Sequence, residues 1–213
     1  MNHTKSLSFV RASPTIKLFI YLQLMFSLLA LFLVFVYPLG SWRHMLYKNP
    51  NNLSDLRDVD CRMHKPVIRD VTGPVPPVES IRDNRINLVM LVFIHIFQAS
   101  SYLYIFAMGL KFVHKPTFVH PLLTWIVPLA APTIFILTAV LIVPDVHRYC
   151  DVAVETYKQL GNYQLTETKE NGYALFLLSG ISGILAILTY WLAVLLVRKQ
   201  ISKHPEDAAY ISI

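Results

Sequence analysis

Residues 18–42, with the sequence LFIYLQLMFSLLALFLVFVYPLGSW, contain no Asp, Glu, Lys or Arg. Three further stretches share this absence of charge, and they cover residues 86–110, 116–144 and 171–197. A helix needs about 20 apolar residues to cross the core of a bilayer, and in lipid it satisfies its own backbone hydrogen bonds. The pattern therefore predicts four transmembrane helices at about 18–42, 86–110, 117–144 and 171–197.

The composition agrees with a chain that lives in lipid. Hydrophobic residues make up 54% and charged residues 15%, whereas a soluble domain carries about 25% charged residues. The first apolar run is too long for the core of a signal peptide, so we expect it to remain as the first transmembrane helix. The predicted fold is an all-α membrane protein, a four-helix transmembrane bundle in one domain, 1–213. Loops 43–85 and 145–170 are expected to form a small extracellular cap that is part β, with a short strand starting at Val67 and Ile68.

The distribution of basic residues favours cytoplasmic termini, by the positive-inside rule. The basic residues on that side are Lys5, Arg11, Lys17, Lys111, Lys115, Arg198, Lys199 and Lys203. This orientation makes the first loop extracellular, where Asn52 begins a glycosylation sequon. A second sequon at Asn2 is then unused. We therefore expect a multi-pass protein of the plasma membrane.

The chain has two cysteines, Cys61 in the first loop and Cys150 in the second. Both follow an odd number of spans, so they lie on the same side of the membrane. In an oxidising compartment, one bridge between them would tie the two loops together. Two free thiols, or disulfides to a partner, are the alternatives that the sequence leaves open.

The second helix carries a polar patch of His95, Gln98, Ser100 and Ser101. Such residues normally point into a helix bundle and bond to neighbouring helices. His95 and Gln98 lie three residues apart, on one face of the helix. The favoured interpretation is interhelical packing, and a ligand or proton site is the alternative.

The other spans carry different signals. The first is rich in Leu and Phe and has the character of a plain lipid-facing helix. In the third, Pro128 and Pro132 predict a kink, because proline lacks a backbone donor. In the fourth, Ser179 and Gly183 form a small-xxx-small pair that permits close approach, either within the bundle or to a second subunit.

The lack of charge inside the spans argues against catalysis, because intramembrane enzymes need acids, bases, nucleophiles or metal ligands. We therefore predict no enzymatic activity, no cofactor and no metal site. The net charge of +6 is explained by contact with the anionic heads of membrane lipids, and no nucleic acid is expected as a partner.

The C-terminal tail ends in Tyr210, Ile211, Ser212 and Ile213. Tyr210 with Ile213 fits a tyrosine-based sorting signal. Ile211 with Ile213 is similar to a hydrophobic ligand of PDZ domains, which bind peptides by strand addition. Either interpretation predicts a cytoplasmic adaptor.

The order of these elements resembles the claudin-like superfamily of claudins, peripheral myelin protein relatives, channel-regulatory gamma subunits and LHFPL tetraspans. Trp42 follows the first helix, as a Trp does in that group, and Arg85 opens the segment RINLVM at the second helix, which is similar to the claudin pattern there. The segments PDVHRYC at 144–150, NYQL at 162–165 and YA at 173–174 resemble the LHFPL tetraspans. The Gly-Leu-Trp motif and the paired first-loop cysteines of claudins are not present.

The resemblance implies a role in cell–cell contact, or as an auxiliary subunit of a channel or receptor. The implied partners are membrane lipids and other membrane proteins, including further copies of the chain. Trp42 and Arg85 would then pack the cap. The alternative is an intramembrane enzyme, or a lipid- or sterol-binding protein, that uses the patch around His95 and Gln98.

Overall fold

The computed structural model describes nine parts of the chain, namely residues 4–7, 12–62, 66–69, 84–114, 122–144, 146–148, 150–151, 164–205 and 208–211. Within these residues, four helices are long and apolar enough to cross a membrane, which confirms the predicted fold class. Side chains such as Leu18, Phe32, Phe97 and Val140 are exposed on the helices. In a membrane protein, this apolar surface is the one that faces lipid.

Contacts between residues divide the chain into two compact units. The first consists of 1–32, 97–135 and 179–213, and the second of 33–96 and 136–178. Each unit contains a part of every span. The first also contains both termini, and the second contains both long loops.

Helix α1 covers Pro14–Val36, so it begins earlier and ends earlier than predicted. Ser13 caps its start, because the Ser13 hydroxyl accepts a hydrogen bond from the Ile16 N–H at 3.4 Å, and a proline such as Pro14 is favoured at a first helical position. Pro38 follows the last turn, where the residue before a proline is pushed out of the helical region.

One face of α1 is buried, which corrects the expectation of a plain lipid-facing helix. The buried positions recur every three or four residues, as in helices that pack side by side. They are Ile16, Ile20, Gln23, Ser27, Ala30, Leu33 and Val34, and Tyr37 just after the helix is buried as well. Gln23 is 1% exposed, and its Nε2 donates a hydrogen bond to the Ile105 carbonyl of the next helix at 2.6 Å.

Helix α2 covers Asn84–His114 and helix α4 covers Asn171–Lys203, and both are longer than the charge-free stretches that predicted them. A helix can continue beyond the apolar core at residues such as Lys111 and Lys203, because their long side chains extend the charged ends to the lipid headgroups. The charge-free stretch therefore marks the membrane core and not the whole helix.

The third span is irregular near Pro128, whereas Pro132 lies within a regular helical segment, and the predicted kink stays a prediction. It begins with a π-helical turn at Leu122–Ile126 and a 3₁₀ turn at Val127–Leu129, and continues as α3 over Ala130–Leu137. A π-helical turn follows at Thr138–Ile142, and residues 143–144 and 146–148 are again α-helical. Pro128 lies in the 3₁₀ turn, where its missing N–H breaks the regular ladder.

The two-stranded ribbon of the first unit joins the ends of the described chain. Strand β1 (Thr4–Leu7) pairs antiparallel with β6 (Ala208–Ile211), with Lys5 opposite Tyr210. Two residues of the predicted adaptor motif, Tyr210 and Ile211, therefore belong to a strand. Ile213 lies outside the described residues, so the adaptor prediction itself stays untested.

The sheet of the second unit takes strands from both loops. Its strands are β2 (Arg43–Asn49), β3 (Asn52–Cys61), β4 (Pro66–Arg69) and β5 (Gln164–Lys169), in the order β4-β3-β2-β5. All neighbours are antiparallel. Strand β4 contains Val67 and Ile68, as the sequence predicted, and Pro66 is tolerated there because the strand lies at an edge.

The small residues of α4 pack against the other spans of the first unit. The Ser179 hydroxyl donates to the Ala30 carbonyl of α1 at 3.2 Å, and the Ser179 carbonyl accepts a hydrogen bond from the Tyr102 hydroxyl of α2 at 3.4 Å. A Cβ on Gly183 would lie 2.3 Å from Cε1 of Tyr102. The small-xxx-small pair therefore serves packing between spans of one chain, the first of the two uses that the sequence allowed.

Replacing Gly183 with Ala should lower the thermal stability of the detergent-solubilised protein, because the new methyl group collides with the Tyr102 ring. Overpacking of this kind costs about 1–3 kcal/mol. Gly40→Ala is the matched control, since a Cβ there meets nothing closer than the Val36 carbonyl oxygen at 3.8 Å. Thermal unfolding followed by size-exclusion chromatography measures both, and equal midpoints for the two variants would contradict the packing role.

Candidate functional site: the disulfide-tied cap

We use the name cap for the four-stranded sheet of the second unit together with the helical residues Cys150 and Asp151. The structure joins Cys61 at the end of β3 to Cys150 by a disulfide, and both residues are fully buried. Their Cα atoms are 5.8 Å apart, and they are separated by 89 positions in the sequence. The internal bridge is therefore the pairing that the structure contains, among the three that the sequence left open.

Trp42 lies beside this bridge and is fully buried. Its backbone N–H donates a hydrogen bond to the Cys61 carbonyl at 2.9 Å. Its indole ring meets His147, Tyr173 and Phe176 at centroid distances of 6.1, 5.8 and 5.9 Å. Aromatic groups at these separations contribute about 0.5–1.5 kcal/mol per pair beyond area burial. Trp42 thus packs the base of the cap.

Gly172, in the first turn of α4, permits this arrangement. Its N–H donates to the Ser41 carbonyl at 2.9 Å. A Cβ at this position would lie 2.6 Å from Cα of Trp42 and 2.7 Å from the Ser41 carbonyl oxygen. Because these are backbone atoms, no side-chain rotation could relieve the contact. The start of α4 is therefore held against the segment that leads into β2.

Two acidic groups meet Arg43, the first residue of β2. Its guanidinium lies 2.6 Å from Oδ1 of Asp151 and 3.3 Å from Oε1 of Glu170. Partly exposed ion pairs of this kind contribute about 0–1 kcal/mol each. Their main effect is to connect β2 with the second loop and with the residue that precedes α4.

Tyr47 is fully buried within the sheet, and its hydroxyl donates to the Met45 sulfur at 3.9 Å. Burial raises the pKa of the Tyr47 hydroxyl, whereas the nearby charge of Arg43 acts in the opposite direction and is the smaller effect. Tyr47 therefore stays neutral and serves as a packing residue.

Asp60 is a buried carboxylate of the cap. It accepts a hydrogen bond from the Ser41 hydroxyl, and its Oδ2 accepts another from the Arg62 Nε at 3.1 Å. A buried charge is tolerated only when it is paired and hydrogen-bonded, and these contacts provide both. Sequence analysis missed Asp60, although its position next to Cys61 was a usable signal.

Strand β5 forms one outer edge of the sheet, and all its side chains are exposed. Leu165 is a large apolar residue that remains 44% exposed there. Lys169 donates a hydrogen bond to Glu167, which lowers the pKa of the Glu167 carboxyl. A bulge lies within the strand at Thr166, whose hydroxyl donates a hydrogen bond to the Leu46 carbonyl at 2.9 Å.

The polar patch predicted on α2 does not act as one group. His95 packs against Tyr37 with ring centroids 5.0 Å apart. Gln98 is buried, and its Nε2 donates to the Tyr102 hydroxyl at 3.1 Å, which in turn donates to the Ser179 carbonyl of α4. Gln98 therefore contributes to packing between helices through Tyr102.

The two serines of the patch do not point into the bundle as predicted. Ser100 is exposed. The Ser101 hydroxyl donates to the Phe97 carbonyl one turn earlier, at 2.8 Å. In lipid, this local bond satisfies the hydroxyl without a neighbouring helix, which explains why the prediction was wrong.

The remaining predicted residues are placed as follows. Asn52 is exposed at the start of β3, just after the hairpin turn, where an oligosaccharide would have room. Arg85 lies in the first turn of α2, but its side chain is outside the described residues, so its packing role stays a prediction. Gln23 was missed by sequence analysis.

Replacing both cysteines with serine should destabilise the cap. In the chain-entropy model, a crosslink over 89 residues contributes at most about 4–5 kcal/mol, and the membrane reduces this figure because it already restricts the denatured chain. After protease cleavage at one site between Cys61 and Cys150, the wild-type fragments should stay joined on non-reducing gels and separate after reduction. The Cys61→Ser/Cys150→Ser variant should separate in both conditions. Wild-type fragments that separate without reductant would rule out the bridge.

Comparison of the chain with protein-family models and with curated proteins finds no match. The resemblance to the claudin-like superfamily therefore stays a prediction that rests on the residues quoted for it. What the structure adds independently is a cap built from both loops and tied by one disulfide.

Proposed function

We propose that this chain is a claudin-like, non-enzymatic protein of the plasma membrane with both termini in the cytoplasm. It acts through its cap, either in cell–cell contact and junction organisation or as an auxiliary subunit of a channel or receptor. The observation that carries this proposal is the cap itself. Strands from both loops form one sheet there, and a disulfide connects the two loops.

The outer strand of the cap supports a role in protein contact. Strand β5 pairs with β2 on one side, and no other described strand pairs with its second edge. An open strand edge is a site at which another protein can add a strand or pack side chains. The exposed Leu165 next to the charged pair of Glu167 and Lys169 has the mixed character of a protein contact surface.

The polar groups of the spans support a structural role over catalysis. Gln23 bonds to the Ile105 carbonyl, and Gln98 bonds through Tyr102 to Ser179. These amides therefore hold helices together, as polar groups in lipid usually do. The alternative is an intramembrane enzyme, or a lipid- or sterol-binding protein, that uses the patch around His95 and Gln98, and the described contacts of Gln98 are those of a packing residue. We regard it as the weaker proposal for that reason.

The proposed orientation is tested by the two sequons of the chain. If the cap is extracellular, a deglycosylating enzyme should increase the gel mobility of the wild type and of Asn2→Gln, but not of Asn52→Gln. A shift that is lost in Asn2→Gln would reverse the orientation. An impermeant maleimide gives a second measurement on intact cells after mild reduction, because it should label the wild type and not the Cys61→Ser/Cys150→Ser variant.

The proposed contact surface is tested by Leu165→Asp. Placing a charge on an exposed position of β5 should leave the fold intact and reduce the recovery of bound membrane proteins at least about fivefold, as expected for a contact residue of moderate importance. Asn51→Asp is the matched control, because it adds the same charge at the exposed hairpin turn of the cap. Quantitative mass spectrometry of complexes purified from surface-labelled cells measures both. Equal recovery with both variants would contradict a role for β5.

Mixed cell cultures separate the two forms of the proposal. A junction protein should accumulate at contacts between two expressing cells, and Leu165→Asp in one of them should reduce this accumulation. An auxiliary subunit should co-purify its partner from isolated cells with no contact at all. A chain that does neither would contradict the proposal.

A further inference from the structure

A groove lies between the start of α1 and the end of α4, within the first unit. Its volume is about 510 Å³, which is within the range of roughly 300–1,000 Å³ of small-ligand sites. Its lining residues are Ser13, Ile16, Leu196, Lys199, Gln200, Lys203 and His204. No residue of this groove takes part in the cap, so only the leaflet assigned to the lipid rests on the proposed function.

The length of α4 indicates where the groove lies relative to the membrane. Its 33 residues extend about 50 Å, at roughly 1.5 Å per residue, whereas the hydrocarbon core is about 30 Å thick. Charged residues are absent from 171–197, and Arg198, Lys199 and Lys203 follow at once. The end of α4 therefore reaches the layer of the lipid headgroups.

Aromatic residues also indicate that this end of α4 lies near the lipid headgroups. The rings of Trp125 and Trp191 are 5.7 Å apart, and the guanidinium carbon of Arg198 lies 5.7 Å from the centre of the Trp125 ring. Tryptophan is enriched where a membrane meets water, because its ring is amphipathic. Arg198 is engaged at this aromatic pair and does not line the groove.

The lining of the groove combines two chemical characters. Lys199 and Lys203 are exposed, and neither forms an ion pair with a carboxylate in the described part of the chain. Ile16 and Leu196 give the groove an apolar side that continues into the packed core of the first unit. Ammonium groups donate strong hydrogen bonds to phosphate oxygens, whereas an apolar wall suits the glycerol and acyl part of a lipid.

One hydrogen bond connects the two helices at the polar end of the groove. The Ser13 N–H donates to Oε1 of Gln200 at 3.2 Å and so connects the start of α1 to the end of α4. Lysines near the C-terminus of a helix also interact with its dipole, and this alone would account for Lys203. It does not account for an amphipathic groove between two helices.

We propose that this groove binds the phosphate of an anionic phospholipid, with the headgroup on Lys199 and Lys203 and the glycerol region along Ile16 and Leu196. Basic pockets between transmembrane helices recognise lipid headgroups in this way. In the proposed orientation, the lipid belongs to the cytoplasmic leaflet, where anionic lipids are abundant.

Native mass spectrometry of the full-length, detergent-solubilised protein tests this site, with phosphatidylinositol 4-phosphate as the probe and phosphatidylcholine as the reference lipid. The wild type should retain one molecule of the probe in preference to the reference. Lys199→Gln/Lys203→Gln should weaken retention at least about tenfold, because two charge-assisted contacts are lost. Lys199→Arg/Lys203→Arg keeps both charges and should retain most of the binding, which separates loss of contact from loss of folding.

The matched control is Lys111→Gln/Arg198→Gln, which removes two positive charges from the same end of the spans outside the groove. It should weaken retention less than about threefold, because neither residue lines the groove and the direct lysine contacts are kept. An equal loss in both glutamine variants would mean diffuse attraction and overturn the proposal. Displacement of the probe by inorganic phosphate at about 10 mM, a concentration typical of weak ion sites, would assign the groove to free phosphate and overturn the lipid assignment. Equal retention of phosphatidylcholine would overturn it as well.

Discussion

The close approach of the fourth helix to its neighbours at Ser179 and Gly183 is the constraint on which the packing of the first unit depends. Helices in lipid gain nothing from hiding apolar surface, so they associate through close contact and hydrogen bonds. Small residues bring the α4 backbone near enough for Ser179 to bond both to Ala30 and to Tyr102. Larger side chains there would separate the helices and leave the polar chain from Gln98 to Tyr102 without its acceptor.

The features that sequence analysis predicted correctly are those that local composition determines. Absence of charge over a membrane-spanning length is sufficient to identify the four helices. Their ends were predicted less well, because a rule based on charge stops at Lys17 and Lys111, although a lysine can remain helical with its ammonium group at the headgroups. The same rule extended the first helix past Val36, where Pro38 ends it.

Long-range contacts of the cap were only partly predictable. Counting spans places Cys61 and Cys150 on one side, and this was enough to propose their bridge. The pairing of β2 with β5 and the contacts of Arg43 with the second loop depend on how distant segments meet, which no local pattern contains. Gln23 is different, because an amide within a Leu-rich span needs a partner in lipid, and that signal was present in the sequence.

The order in which the chain is synthesised determines when the cap can form. Strand β3 follows β2 along the chain and can pair with it early, but β5 and Cys150 are synthesised only after the third span. If that span failed to cross the bilayer, Cys150 would stay on the opposite side from Cys61, and β2 would keep an open edge. An oxidised cap therefore requires that both long loops reach the same side of the membrane.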